Sequence, residues 1–264
     1  MKRLSVCADD FGQSAGVDGG ILALAAQGRI GSSSALVNLP RWQAAAPALA
    51  DTPARIGLHV NLTEGEPLSP ALRRLWPRLP SLGQLLAQAA LRQLPAAVND
   101  EVQAQFDAFT TATGRAPAYI DGHQHVHALP GVRAGVLAIA ERLRLPVRNT
   151  GRISGPGFAF KRQVIQACGG RRLQAELQAR GLPHAPALVG VYDFAPTADY
   201  RALMRGWLRE LPEAALLFCH PAQGPVDLAD AIGPARLRET AYLGSAAFAD
   251  DLAEFGVSLS LSLN

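Results

Sequence analysis

Short apolar runs alternate with longer stretches of helical periodicity along this chain. The first run, "RLSVCA" at residues 3–8, precedes a helical stretch, "VDGGILALAAQG" at residues 17–28. The same order continues toward the C-terminus and predicts about eight strands, among them residues 145–150, "LPVRNT", and 257–263, "VSLSLSL". Strands that alternate with helices predict parallel strands joined by crossover helices.

This alternation favours a single α/β domain that folds as a distorted TIM-like (β/α) barrel over residues 1–264. No linker or change of composition divides the chain into two domains. An open doubly wound sheet is the alternative architecture. Two long interruptions, at about residues 65–117 and 150–187, follow predicted strands on the side where barrels place their active sites. We expect both to form lids or substrate walls.

Composition and charge limit the kinds of binding partner and indicate the cellular compartment. The net charge is only +3 and the arginines are dispersed, which does not favour nucleic-acid binding. No stretch reaches the ~18 apolar residues of a membrane span, and the first apolar run stops at Asp9, too early for a signal peptide. Cys7, Cys168 and Cys219 are an odd set without CxxC spacing, which argues against a disulfide framework and a thiolate zinc site and fits a reducing compartment. We therefore expect a cytoplasmic protein.

Polar side chains of catalytic character stand at the predicted C-terminal ends of several strands. In a barrel these ends form one rim, so residues that are distant in sequence converge on one pocket. Carboxylates and histidines together are a donor set for a divalent cation such as zinc. A cation would also offset the cost of two adjacent carboxylates. The residues at these ends are Asp9, Asp10, His59, Asp121, His123, Arg148 and His220.

The segment "DGHQHVH" at residues 121–127 carries three alternating histidines. If the strand continued through it, the Cα atoms of His123 and His127 would lie ~13 Å apart at ~3.3 Å per residue. That separation is too large for bonds of ~2 Å to one ion. One ligand is expected from this run, and a second would require the chain to turn. We favour His123 and regard His125 and His127 as residues that line the pocket or support the ligands.

Three further residues have a structural and a functional interpretation. Trp42 and Trp76 would stack on a sugar ring or belong to the core, and the core is the more frequent place for an aromatic residue in an Ala- and Leu-rich setting. Cys219 precedes His220, but adjacent strand residues face opposite sides, so we expect Cys219 to pack behind the barrel wall.

The glycines at positions 12–20 do not form GxGxxG, which gives little support to a dinucleotide site.

Four blocks of the chain resemble the YdjC-like carbohydrate deacetylases, which include chitooligosaccharide deacetylases and hopanoid-biosynthesis-associated members. The blocks are "ADDFGQSAGV", "GLHVNLTEG", "DGHQHVH" and "FCHPA", in the order and approximate spacing of that family. The resemblance covers nearly the whole chain. It implies a distorted TIM-like barrel that removes acetyl groups from N-acetylated sugars with one divalent metal ion, zinc or magnesium.

The resemblance also implies a role for the residues that match the family's motifs. Asp9 matches the general base, which takes a proton from metal-activated water, and His220 matches the general acid, which protonates the departing amine. Arg148 has no secure match, and we expect it to hold Asp9 ionised and oriented. The positions that match the metal ligands are Asp10, His59 and His123.

Two other functions remain as alternatives. A metal-dependent sugar isomerase or aldolase barrel would more often place a lysine or glutamate at the rim, and Lys2 and Lys161 lie away from the predicted strand ends. A catalytically silent glycan-binding barrel would need no acid–base pair beyond the ligands. The substrate is equally open among chitooligosaccharides, glycolipids and other N-acetyl compounds. An apolar lid helix would provide a surface for a homodimer.

Overall fold

A computed structural model describes residues 2–225 and 229–260, and strands and helices alternate along them. Seven strands lie in these ranges: β1 (Lys2–Phe11), β2 (Ser32–Ala35), β3 (Arg55–Val60), β4 (Ile120–Gly122), β5 (Leu188–Val189), β6 (Ala214–Cys219) and β7 (Val257–Leu259). The α-helices of the same ranges are α1 (Ala15–Ala26), α2 (Trp42–Ala45), α3 (Pro70–Leu75), α4 (Leu82–Ala90), α5 (Ala97–Thr113), α6 (Arg133–Leu143), α7 (Ala159–Ile165), α8 (Arg171–Ala179), α9 (Tyr200–Arg209), α10 (Gly233–Leu243) and α11 (Ala246–Glu254).

One parallel sheet forms the centre of the molecule. Its strand order is β4-β3-β2-β1-β6-β5, and β7 also pairs with β1. The pairings within the described ranges are parallel throughout. The central strand β1 is buried from Leu4 to its end, which is the environment that a near-continuous apolar run in a parallel sheet predicts. The C-terminal ends of β1, β3, β4 and β6 consequently face the same side of the molecule.

The sheet curls into an incomplete barrel, as one short segment that contacts both of its edges shows. Val147 forms a single bridge to Ile120 of β4, and Ile153 forms one to Leu188 of β5. Since β4 and β5 are the two edges of the sheet, residues 147–153 join them. The expected distorted α/β barrel is therefore confirmed, and the open doubly wound sheet is wrong.

Two of the predicted strands differ from the structure. Residues 145–150 are not a strand, since only Val147 forms a bridge and its N–H donates to the carbonyl of Pro183. Pro146 has no N–H to give to a ladder, which is the physical reason. The final predicted strand pairs with β1 over Val257–Leu259, and residues 261–263 lie outside the described residues. The described strands therefore number seven, compared with the predicted eight or so.

Helix α10 was not among the elements that the hydrophobic pattern predicts. Its inner face buries Arg236 and Glu239 beside Ala235 and Leu243. Charged residues on the inner face break the apolar periodicity by which a helix is detected. Both charged residues belong to the site described below.

The two long interruptions contain helices. Within residues 65–117, α5 packs against β3 and α6 and buries Val98, Val102 and Phe109. Within residues 150–187, α7 has no buried residue. None of the helices in the described ranges combines the length and the apolar character that crossing a bilayer needs.

Close packing brings the loop after β6 next to the end of β1. The N–H of Gln223 donates to the carbonyl of Gly16 at 2.9 Å. A Cβ at Gly20 would lie 2.7 Å from the Cα of Ala222, so only glycine allows α1 to approach this loop so closely. These contacts hold the loop that follows His220 against α1.

Candidate active site

Both aspartates at the end of β1 reach the same cavity because the strand is irregular there. The pairing of β1 with β2 shifts between Ala8 and Phe11. Asp10 has a φ of 74°, in the left-handed region that residues other than glycine rarely adopt. In a regular strand, Asp9 and Asp10 would point to opposite faces, but the bulge turns both carboxylates into the cavity. Backbone strain of this kind is frequent at functional sites.

Asp10, His59 and His123 meet at the ends of β1, β3 and β4. One donor atom from each lies within 4.8 Å of the others. Asp10 Oδ1 is 3.5 Å from His59 Nε2 and 2.9 Å from His123 Nδ1, and all three residues are buried. Two imidazoles and one carboxylate at these distances fit a divalent cation. These residues are the three that the sequence predicts as metal ligands.

Opposite charges offset the burial of these groups. Burial alone would raise the pKa of Asp10, but Arg236 and His123 hold it well below its usual range. Burial would lower the pKa of His59, but Asp121 raises it to about 10. Asp10 likewise raises the pKa of His123 to about 9 despite its burial. Since a metal-bound imidazole must be unprotonated, a cation would bind in competition with both protons.

Asp121 supports His59 from behind. Its Oδ1 is 2.6 Å from His59 Nδ1, which leaves Nε2 directed toward Asp10. Ser34 Oγ donates to the other oxygen at 2.6 Å. A carboxylate on the far nitrogen of a ligating histidine fixes the tautomer and the orientation of its ring. The sequence marks Asp121 as a strand-end residue without giving it a role.

Arg148 is buried behind the cavity and joins two carboxylates. Its Nη1 and Nη2 donate to the two oxygens of Asp9, both at 2.6 Å. Its Nη2 also lies 2.5 Å from Asp121 Oδ2. Cys7, Asp9 and Asp121 form a second group of close donor atoms, but the guanidinium already supplies positive charge to both carboxylates. Burial raises the pKa of the Cys7 thiol to about 12, which disfavours a thiolate ligand.

Sequence reasoning missed two residues beside the ligands. Arg236 Nη2 donates to Asp10 Oδ2 at 2.8 Å, and Glu64 Oε1 is 3.1 Å from His123 Nε2. Glu64 stands in the "NLTEG" that follows His59, so a motif pointed to it. Arg236 belongs to the unpredicted helix α10, and no local signal identifies it.

His220 follows β6, the strand next to β1, and lines the same cavity. Its ring lies edge-on to Phe194 and Phe218, with centroids 5.1 and 5.6 Å away. Its backbone N–H donates to Oε2 of Glu239 at 2.6 Å. Sequence reasoning missed Glu239 because, like Arg236, it lies on α10. His220 therefore packs against aromatic side chains, unlike the charged residues at the ends of β1, β3 and β4.

The cavity between these residues has a volume of about 520 Å³, which is within the range of small-molecule sites. We call two groups of its lining residues the ligand wall (Asp9, Asp10, His59 and His123) and the acid wall (His220, Phe194 and Phe218); all seven line the cavity. The first long interruption contributes Leu82, and the second contributes Lys161 and Ile165. Lys161 lies away from the strand ends, as expected, but it reaches the cavity from α7.

The three alternating histidines take three different directions. After β4 the chain turns into a 3₁₀ helix over His123–Ala128, in which His125 has a φ of 63°. The His125 ring lines the cavity edge-on to Phe218, at 5.3 Å. His127 Nε2 donates to the carbonyl of Arg148 at 3.0 Å. Neither belongs to the triad of close donor atoms.

Trp42, Trp76 and Cys219 all pack in or against the core. Trp42 is fully buried and stacks on Phe109 at 5.8 Å, and Trp76 packs against the main core. Cys219 is fully buried, and its Sγ is 3.5 Å from the carbonyl of Cys7.

Comparison with known proteins identifies relatives over the whole chain and over parts of it. The family model described as YdjC-like protein matches residues 3–254. The chain is similar to the carbohydrate deacetylase of Homo sapiens, at 41% identity over 137 residues, 49% of this chain and 42% of that protein. It is also similar to the chitooligosaccharide deacetylase of Serratia marcescens, at 39% identity over 151 residues, 56% of this chain and 59% of that protein. The chain therefore matches about half the length of these curated relatives.

One solved structure is similar along nearly its whole length. It comes from Enterococcus faecalis V583 and is provisionally described as a cellobiose-phosphate cleavage protein. The likeness covers 98% of this chain and 97% of that chain, with a TM-score of 0.75 and 23% sequence identity. At this identity it shows the fold alone, which agrees with the curled parallel sheet.

Proposed function

This chain belongs to the YdjC-like family, and we propose that it is a metal-dependent hydrolase that removes an N-acetyl group from a sugar. The observation that carries the proposal is that three metal-type donors, an arginine-held carboxylate and a histidine line one cavity. Deacetylation of an amide needs these three parts: a cation site, a proton acceptor and a proton donor. The names of the curated relatives support a carbohydrate as the substrate class.

Asp10, His59 and His123 are the residues that would hold the cation. When bound there, a divalent cation would lower the pKa of a water molecule and polarise the acyl oxygen. Zinc is our first choice and magnesium the second, because two imidazoles and one carboxylate favour the softer ion.

Asp9 is the proton acceptor of the proposal. Its carboxylate lines the cavity beside Asp10. The two hydrogen bonds from Arg148 fix its orientation and place a positive charge behind it. Arg148 is therefore a positioning residue, which acts on the reaction through Asp9.

His220 is the proton donor of the proposal. An amine leaves an amide carbon poorly unless it is protonated, so a donor is needed on the side of the leaving group. His220 meets this need because it lines the same cavity as the ligand wall. Phe194 and Phe218, which contact its ring edge-on, provide apolar surface for the sugar ring.

An aldolase would use a lysine at this rim, and Lys161 reaches the cavity. Its Nζ donates to the carbonyl of Tyr192 at 2.6 Å and lies 4.7 Å from the ring centre of Phe194. Burial lowers its pKa. Both contacts engage the amine with the protein, which favours a role in shaping the acid wall. Lys161→Met should therefore retain acetate release, whereas an aldolase would lose its reaction.

The proposal is tested by measuring acetate released from N-acetylglucosamine oligomers. The wild-type protein is assayed as purified, after treatment with a chelator, and after zinc or magnesium is restored. We expect release that the chelator abolishes and one of the two metals restores. Release that the chelator does not affect would remove the metal from the proposal, and no release from any N-acetylated sugar would remove the activity.

A further inference from the structure

Glu239 is a buried carboxylate beside the proposed proton donor. It is fully buried on α10. Its Oε2 accepts the backbone N–H of His220 at 2.6 Å, and its Oε1 accepts the hydroxyl of Tyr192 at 2.5 Å. Burial, followed by the Glu239 charge, raises the pKa of Tyr192, so this hydroxyl remains a donor. Among the described residues, the only side chain able to carry positive charge within 4 Å of this carboxylate is His220.

The imidazole of His220 has a buried nitrogen without a hydrogen-bond partner in the described part of the chain, and this nitrogen could donate to Glu239. Its Nδ1 is buried and has no hydrogen-bond partner among the described residues. The nearest carboxylate oxygen is Oε1 of Glu239, at 3.9 Å. Since Nδ1 is enclosed, Nε2 is the ring nitrogen left to face the cavity. Catalytic hydrogen bonds are often long in free enzymes and shorten when substrate binds.

We infer that Glu239 is a positioning residue for His220, and this inference rests on the proposed function. Its Oε1 accepts Nδ1–H of the imidazole, which fixes the ring and directs Nε2–H to the departing amine. As the C–N bond of the substrate breaks, the Nε2–H bond breaks and an N–H bond forms on the amine. His220 is then neutral and keeps its remaining proton on Nδ1, bonded to Glu239. A third group that orients the acid–base histidine follows the logic of a catalytic triad.

The neighbouring residue of α10 provides a matched control. Thr240 Oγ1 accepts the N–H of Ala222 at 2.9 Å and donates to its carbonyl at 2.8 Å. Two consecutive residues of α10 therefore hold the same loop, but only Glu239 approaches the His220 ring. Thr240→Val loosens the loop and leaves the carboxylate in place.

The decisive variant is Glu239→Gln, which keeps the size of the side chain. Its amide oxygen still accepts the His220 N–H, so its NH₂ group takes the place of Oε1 and donates toward Nδ1. We expect kcat for acetate release to fall about 10- to 100-fold, with KM within about threefold of wild type. Thr240→Val should keep kcat within about twofold of wild type. Metal content and the far-UV spectrum are measured for both variants.

A second measurement reads the imidazole directly. In ¹⁵N-histidine NMR spectra, the neutral His220 ring should carry its proton on Nδ1 in the wild type and on Nε2 in Glu239→Gln. The His220 signal is assigned by its absence from the spectrum of His220→Gln. The inference is overturned if the two proteins show the same tautomer, or if Thr240→Val loses as much kcat as Glu239→Gln. If the wild type releases no acetate, the proposed function fails, and the tautomer still decides whether Glu239 positions the ring.

Discussion

The two walls of the cavity hold their functional groups by different means. On the ligand wall, charges of opposite sign are bonded to one another: Arg148 holds Asp9 and Asp121, and Asp121 holds His59. On the acid wall, the His220 ring contacts two aromatic rings edge-on, and its buried Nδ1 has no bonded partner among the described residues. One wall is a closed network of ion pairs, and the other is an apolar setting with one adjustable contact.

The difference fits the two tasks of the proposed reaction. A cation needs its ligands in place before it binds, since ligands that must be reorganised weaken affinity. The ligand wall is fixed in this way, because its carboxylates and His59 are each held by at least one partner of opposite charge. A proton donor needs to meet a leaving group whose position depends on the substrate. The 3.9 Å gap between His220 Nδ1 and Glu239 leaves room for that adjustment.

Removal of a ligand should have the largest effect and should break the ligand wall alone. Asp10→Ala and His59→Ala are expected to lose bound metal together with activity, down to the background of the acetate assay, because two remaining donors hold a cation weakly. Metal content by mass spectrometry and acetate release provide the measurement. The exposed Asp51→Ala variant serves as control. A variant that keeps its full metal content would remove that residue from the ligand set.

The second prediction separates the ligands from the acid–base pair. Asp9→Asn and His220→Gln should keep their metal and lose about 10²–10⁴ in kcat, because each removes a proton transfer and not a ligand. Metal content and kcat are measured on the same samples. Turnover near the wild-type rate in either variant would show that its acid–base assignment is wrong.

The ligand wall is also the part of the site that the sequence predicts best. Its strands are apolar runs that stop at a polar residue, so Asp9, Asp10, His59 and His123 could be assigned to one rim from periodicity and barrel geometry. The bulge at Asp10 could not be predicted, because the shift depends on pairing with a strand that begins at residue 32. Only that backbone irregularity explains why the carboxylates of Asp9 and Asp10 both point into the cavity.

The helix behind the acid wall could not be predicted at all, for a related reason. Sequence patterns detect a helix by its apolar face, and α10 buries Arg236 and Glu239 on that face. Their partners, Asp10 and His220, are distant in the sequence. Buried charges whose partners are non-local therefore mark the limit of sequence reasoning here, both for the fold and for the site.

The third prediction compares the stability of the two walls. Arg148→Met should lower the free energy of unfolding by about 3–5 kcal/mol, because Asp9 and Asp121 would remain buried without their common cation. Behind the acid wall, Tyr192→Phe removes one hydrogen bond to Glu239 and should cost only about 1–2 kcal/mol. Urea unfolding of both variants at neutral pH gives the comparison. Equal losses would show that the acid wall depends on its polar contacts as strongly as the ligand wall does.

The last effect concerns His127, which supports the ligand wall through the carbonyl of Arg148 and acts only as the pH falls. Burial lowers the pKa of His127 from 6.5 to about 4. Between these values the unfolded chain binds a proton that the folded chain does not, so this histidine makes stability fall as the pH falls from about 6.5 to 4. The full contribution is about 3 kcal/mol, present above the upper value and lost below the lower one.

His127→Gln keeps a donor for the Arg148 carbonyl and removes the titration. The unfolding free energies of the wild type and the variant are measured by urea titration at several pH values. Their difference should change by about 3 kcal/mol between pH 7 and pH 4, because the variant becomes more stable relative to the wild type as the pH falls. Taking this difference cancels the other titrating groups of the ligand wall, since they are common to both proteins. A difference that does not vary with pH would mean that His127 can be protonated in the folded chain without breaking its contact, and that the ligand wall is less rigid than its ion pairs imply.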